Sequence, residues 1–91
     1  MSKFRYRDRA NIVLDILDTV GRDPKGKTKT SIMRGANLNF AQVNRYLEAL
    51  LFRGFIKEIA PIKSQELVRY IQTKKGFLVV KHLDPLRDAF R

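Results

Sequence analysis

The 91-residue sequence contains no cysteine and no tryptophan, one histidine, three prolines, and only nine acidic side chains against 19 Lys and Arg. Without cysteine there is no disulfide, no thiol nucleophile and no thiolate zinc site. The single His82 excludes a pair of histidine metal ligands. No apolar run approaches the ~18 residues that a membrane span needs. The basic N-terminus MSKFRYRDR is not followed by a charge-free apolar stretch, so no secretion signal is expected. A chain of this length has room for one domain with one modest core, and none for a two-domain cofactor cleft. What is abundant is positive charge: the formal net charge is +10 and the pI about 10.4, with hydrophobic residues at 44%. This is globular composition with a basic bias. It implies a soluble, cytoplasmic protein in contact with something negatively charged.

Periodicity divides the chain into elements. Over residues 7–20, Ile12, Val13, Ile16, Leu17 and Val20 fall at helical spacing, with Asp8, Asp15 and Asp18 turned away. Gly21 stands where this helix should stop, and RDPKGK (22–27) has turn chemistry. Thr28, Lys29, Thr30 and Ser31 supply cap candidates for a short helix over 31–36 that buries Ile32 and Met33. Asn37-Leu38-Asn39 suits a tight connection, since Asn tolerates left-handed backbone and caps helices. A second long helix is expected over 40–53, capped by Asn39, with Phe40, Val43, Leu47, Leu50 and Leu51 as its stripe and Gly54 just past its end. The period then changes to that of strands over 55–60 and 67–72, joined by PIKSQE (61–66). Thr73 caps a last helix over 74–83 that buries Phe77, Leu78 and Val80, and Pro85 interrupts it.

Two helices separated by a three- or four-residue turn, here 28–36 and 40–53, are the helix-turn-helix unit. A hairpin directly after the second helix makes a wing. The expected fold is therefore α+β and mainly α: a winged helix-turn-helix with a three-helix core, a two-stranded wing at 55–72 and a C-terminal helix. Residues 1–9 read as a basic N-terminal arm, 10–84 as the winged domain, and 85–91 as a short C-terminal segment. In such a fold the second helix enters the major groove of DNA and the first lies across the backbone. On a helical wheel Ala41, Gln42, Arg45, Glu48, Ala49 and Phe52 point away from Val43 and Leu47. Gln42 suits adenine and Arg45 suits guanine, with Asn39 and Asn44 beside them. Residues 22–45 carry six cations against Asp23 alone, a local charge of +5. Lys27, Lys29, Ser31 and Arg34 from this segment, with Lys63 at the wing tip, are the candidate phosphate contacts. In the arm, Lys3, Arg5, Arg7 and Arg9 alternate with Phe4 and Tyr6, a pattern fit to lie along phosphates or in a minor groove.

Other signals carry less. Gly21 to Thr28 reads GRDPKGKT and matches the phosphate-loop pattern G-x-x-x-x-G-K-[ST] at every fixed position. That pattern takes its meaning from a buried strand before it and a helix after it. Here an amphipathic helix precedes it, and the chain is too short for the parallel sheet of a nucleotide hydrolase. A basic turn is the better account. Asp15 and Asp18 read as a solvated helix face, Asp84, Asp88 and His82 as surface, and Tyr46 and Tyr70 as edge-of-core residues. Phe52 lies about 180° from the core stripe on the wheel. Either the helix frays before it, or the N-terminal arm or a second subunit covers it, and the dimer contact is preferred. No catalytic group, metal site or cofactor is expected.

The joint pattern resembles the small basic archaeal winged-helix DNA-binding proteins, the Sulfolobus ten-a class, and related winged-helix transcriptional regulators. The residues that carry it are Ile12 to Leu17, Thr28 to Met33, Ala36 to Asn39, Tyr46-Leu47, Leu50-Leu51, Arg53-Gly54-Phe55-Ile56, and Tyr70 with Thr73-Lys74-Lys75-Gly76. The resemblance implies nucleoid-associated DNA binders that act as regulators or chromatin-like proteins, and homodimers built through a long C-terminal helix. Two departures stand out. Only 15 residues follow Gly76, too few for a long coiled coil, and Gln72 occupies a position that is usually large and apolar. The expected function is sequence-specific or semi-specific double-stranded DNA binding in transcriptional regulation. Two alternatives are a non-specific architectural DNA binder and a protein-interaction winged helix within a transcription or replication assembly.

Overall fold

The computed structural model describes residues 8–63 and 66–89, with side chains to Leu83. The arm residues Lys3, Phe4, Arg5, Tyr6 and Arg7 lie outside it. Four helices, α1 (Arg9–Gly21), α2 (Lys29–Gly35), α3 (Phe40–Phe52) and α4 (Lys74–Ala89), surround a small sheet. Its strands are β1 (Lys27–Thr28), β2 (Ile56–Ile59) and β3 (Arg69–Gln72), in the order β1-β3-β2, all antiparallel. The core is a single cluster in which Ile12, Ile16, Leu17 and Val20 of α1 meet Ile32, Val43, Leu47, Leu50, Ile56 and Tyr70.

Local chemistry accounts for the helix ends. Asp8 caps α1 by accepting from Asn11 N–H at 2.9 Å, and Thr28 caps α2 by accepting from Ser31 N–H at 3.2 Å. Asn37 takes a left-handed φ of 56° in the turn between α2 and α3. Gly54 follows α3 with φ 78°. There the Phe55 and Gly54 N–H groups donate to Leu50 and Leu51 carbonyls at 3.0 and 3.1 Å, which is the Schellman closure.

The structure corrects the sequence expectations in five places. The sheet has three strands, because Lys27 and Thr28 pair with Tyr70 and Arg69; two residues are too few to leave a periodic signal. This early strand also starts α2 two residues sooner than expected. The hairpin strands are shorter, so the wing connection runs from Ala60 to Val68. Phe40 is exposed at the first turn of α3 rather than buried, and Lys29 Nζ sits 5.4 Å from its ring centroid. α4 continues through Pro85 to Ala89. Proline deletes one backbone donor but its fixed φ is helical, so it bends or weakens a helix without having to end it.

The fifth correction concerns which face of α4 is inward. Phe77 and Leu78 are exposed, while Gly76 is buried and Val79 and Val80 pack against the core. Gly76 sets this rotation. A Cβ at that position would stand 2.1 Å from the Phe55 carbonyl oxygen, so only glycine lets α4 approach the backbone there. Once Gly76 faces Phe55, helical spacing turns 79 and 80 inward and 77 and 78 outward.

Candidate nucleic-acid interface

α3 presents two opposed faces. Val43, Leu47 and Leu50 are buried, while Ala41, Arg45, Glu48, Ala49 and Phe52 form a continuous outward stripe. Phe52 is 89% exposed and still helical, so fraying before it does not explain its position. Arg45 lies on this outward stripe, and Asn44 is half-buried on its flank.

Asn39 and Gln42 are engaged with each other's backbone. Asn39 Oδ1 accepts from Gln42 N–H at 2.8 Å, and Gln42 Oε1 accepts from Asn39 N–H at 2.9 Å. This reciprocal capping box fastens the start of α3. Its signal, Asn followed three residues later by Gln, was present in the sequence. Bidentate reading of adenine needs both the amide oxygen and the amide nitrogen of glutamine. The cap takes up one acceptor site of Oε1, while no bond within the cap uses the Nε2 donor.

The candidate phosphate contacts come from three segments. Lys29, Ser31 and Arg34 stand on α2, and Lys27 stands on β1. Lys63 lies in the wing connection, exposed. Arg69 is exposed but engaged with the chain: its Nη1 donates to the Gly26 carbonyl at 2.9 Å and ties the wing to the turn before β1. Lys75 is likewise spent on the fold, donating to the Arg53 carbonyl at 2.7 Å and lying 5.0 Å from the Phe55 ring centroid.

Three further features emerge only in three dimensions. A cavity of about 520 Å³ between α1 and α3 gathers Arg9, Arg45 and Arg53 around Tyr46 and Phe55. No spacing in the sequence brings residue 9 to residues 45 and 53. Tyr70 is buried in the core, and its hydroxyl donates to Glu58 Oε2 at 3.5 Å. Burial first, and then the Glu58 carboxylate, push its phenol above the usual value. Its hydroxyl is therefore committed to Glu58. Gln72 completes β3, and its Nε2 donates to the Leu17 carbonyl at 2.9 Å. A polar residue thus fits where an apolar one is usual, because it binds the last turn of α1.

The phosphate-loop pattern has no phosphate-loop setting. Gly21 is the last residue of a helix, and Asp23 organises the following turn by accepting from Lys25 N–H at 2.9 Å. Among the described residues no three His, Asp or Glu side chains gather as a metal cluster, and no helix is long and apolar enough to cross a membrane.

Comparison with known structures places this architecture. Sso10a-2, a DNA-binding protein from Sulfolobus solfataricus, matches with a TM-score of 0.76 at 23% identity, over 91% of this chain and 81% of its own. FabT of Streptococcus pneumoniae, solved in complex with DNA, matches at 0.71 with 20% identity over 98% of this chain. The Staphylococcus aureus MepR–DNA complex matches at 0.71 with 17% identity over 93% of this chain. The chain spans 60% of FabT and 59% of MepR. No curated protein sequence matches. A family model described as winged helix-turn-helix matches residues 6–90, which takes in every element of the fold, and the chain accordingly belongs to the winged helix-turn-helix family.

Proposed function

We propose that this protein binds double-stranded DNA as a transcriptional regulator, with α3 in the major groove and the β2–β3 wing against the adjacent backbone. The observation that carries the proposal is the outward stripe of α3. It combines small Ala41 and Ala49, which permit close approach, with Arg45, and it lies beside the cations of α2 and β1. The fold is shared with a DNA-binding protein of Sulfolobus solfataricus and with two proteins solved in complex with DNA.

Arg45 and Asn44 are proposed to read base edges, with Asn39 and Gln42 contributing through their amide nitrogens. Lys27, Lys29, Ser31, Arg34 and Lys63 are proposed to hold phosphates. Their role is binding and not catalysis, and the GRDPKGKT segment serves as a basic turn. A homodimer as the binding unit and a nucleoid location in the cytoplasm belong to the same proposal. Phe52 and the outward Phe77 and Leu78 are apolar surfaces that a second copy would cover.

Fluorescence-anisotropy titration of a mixed-sequence duplex against salt tests the proposal, with single-stranded DNA and RNA in parallel. Four charged phosphate contacts set a slope of log K against log salt of about −3.6. Lys27→Ala or Lys29→Ala should weaken all duplexes alike and reduce that slope by about 1. Arg45→Ala should lower discrimination at one base pair by about 1–3 kcal/mol. Equal loss on every sequence would remove its readout role. A flat salt dependence would point to a protein partner instead.

A further inference from the structure

The wing tip is unusual in what it exposes. Ile62 is 94% exposed and Leu67 67% exposed, with Ile59 at the end of β2 and Val68 just before β3 also open. Single exposed apolar residues are ordinary, but a run of four on one projecting hairpin is not. Ile62 and Lys63 are also tied to Glu66. Pro61 fixes the backbone just before Ile62. Glu66 Oε1 accepts from the N–H groups of Ile62 and Lys63 at 3.1 and 3.2 Å, and Glu66 N–H donates back to the Lys63 carbonyl at 3.0 Å.

The polar groups around the tip select the partner. Both wing acids are engaged within the hairpin: Glu66 on two backbone amides, and Glu58 on the Tyr70 hydroxyl. Lys57 and Lys63 stand exposed beside the apolar residues. An apolar point flanked by ammonium groups complements a surface with anionic rims and an apolar interior. The minor groove supplies that chemistry once a base step opens, with phosphates along both edges and the apolar faces of stacked bases between them.

Resting on the DNA-binding function proposed above, we infer that Ile62 is a wedge that enters the minor groove beside α3, separates one base step and bends the duplex. Lys57 and Lys63 hold the flanking phosphates. Pre-ordering by Pro61 and Glu66 lowers the entropy lost on insertion. Bending is easiest at flexible pyrimidine–purine steps, so the wedge confers sequence preference at a position that no hydrogen bond reads.

Energy transfer between dyes at the two ends of a duplex of about thirty base pairs, titrated with the full chain, tests this inference. The native protein should shorten the end-to-end distance by an amount equivalent to a bend of about 20–90°. Ile62→Ser should abolish the bend and weaken binding roughly tenfold, with an unchanged salt slope and an unchanged thermal melt. Ile62→Leu should retain the bend. Lys63→Ala should keep the bend and lower the salt slope by about 1. A duplex that is bound but stays straight, or an Ile62→Ser protein that bends it equally, overturns the wedge and leaves DNA binding standing. Absence of any duplex binding overturns both.

Discussion

The junction between α3 and α4 and the tip of the wing draw on similar residues and use them in opposite ways. At the junction, polar groups and cations are turned inward on the chain. The Thr73 hydroxyl donates to the Gly54 carbonyl at 2.6 Å and accepts from Gly76 N–H at 3.1 Å. Thr73 N–H reaches the Phe55 carbonyl at 3.2 Å, and Lys75 covers both the Arg53 carbonyl and the Phe55 ring. At the wing tip the acids are turned onto their own hairpin, and the apolar side chains are left outside. The first arrangement satisfies the end of one helix with the start of another and so fixes the domain. The second uses its hydrogen bonds to present a surface. In a core this small, the contacts that hold the domain and the apolar side chains left outside lie in separate segments.

That contrast can be broken from either side. The largest effect is expected from Gly76→Ala, whose Cβ collides with the Phe55 carbonyl. It should destabilise the protein by about 3 kcal/mol and lower the melting temperature by roughly 12–24 °C. Thermal denaturation followed by circular dichroism measures it, and an unchanged melt would mean that α4 shifts freely on the core. Thr73→Ala removes the cap of α4 and the tie to Gly54 together. It should cost about 1–2 kcal/mol, and Thr73→Ser should restore most of this.

On the wing the expectation is inverted. Glu66→Ala frees the Ile62 and Lys63 amides at an exposed site, so stability should move by no more than about 0.5 kcal/mol. Duplex binding should nevertheless weaken, because the tip loses its pre-ordering. A stability loss as large as that of Thr73→Ala would erase the distinction between the two regions. The smallest effect concerns pH. The folded state raises the Tyr70 phenol above its ordinary value, mainly by burial and then through Glu58. The contribution is fully present below about pH 10, where the unfolded phenol is also neutral. It is lost as the pH rises toward the folded value, because only the unfolded chain then ionises. Tyr70→Phe should remove this alkaline loss, as read by denaturant titration at several pH values.

The three inner helices were legible because their apolar residues recur at the helical period and Gly21, Thr28, Asn39 and Gly54 mark ends within a turn; Asp8, read as part of the outward face of the first helix, is instead its cap. The wing was legible from the change of period after Gly54. The candidate interface was legible in its residue types but not in their engagements. Asn39 and Gln42 carry the right groups for bases, yet each amide oxygen closes the other's backbone. Arg69 has the right charge for a phosphate, yet a carbonyl 43 residues away holds it.

By itself, the sequence determined the helix-turn-helix order, the basic face and the outward stripe of α3, since these follow from periodicity and charge within a few turns of chain. Only the tertiary structure decided that Lys27 and Thr28 form a third strand, that α4 turns Val79 and Val80 inward, and that Arg9 joins Arg45 and Arg53 around one cavity. Each of these depends on a meeting between segments far apart in the chain, such as Gly76 against the Phe55 carbonyl. A contact of that kind is settled by which backbones can approach one another, and local spacing carries no record of it.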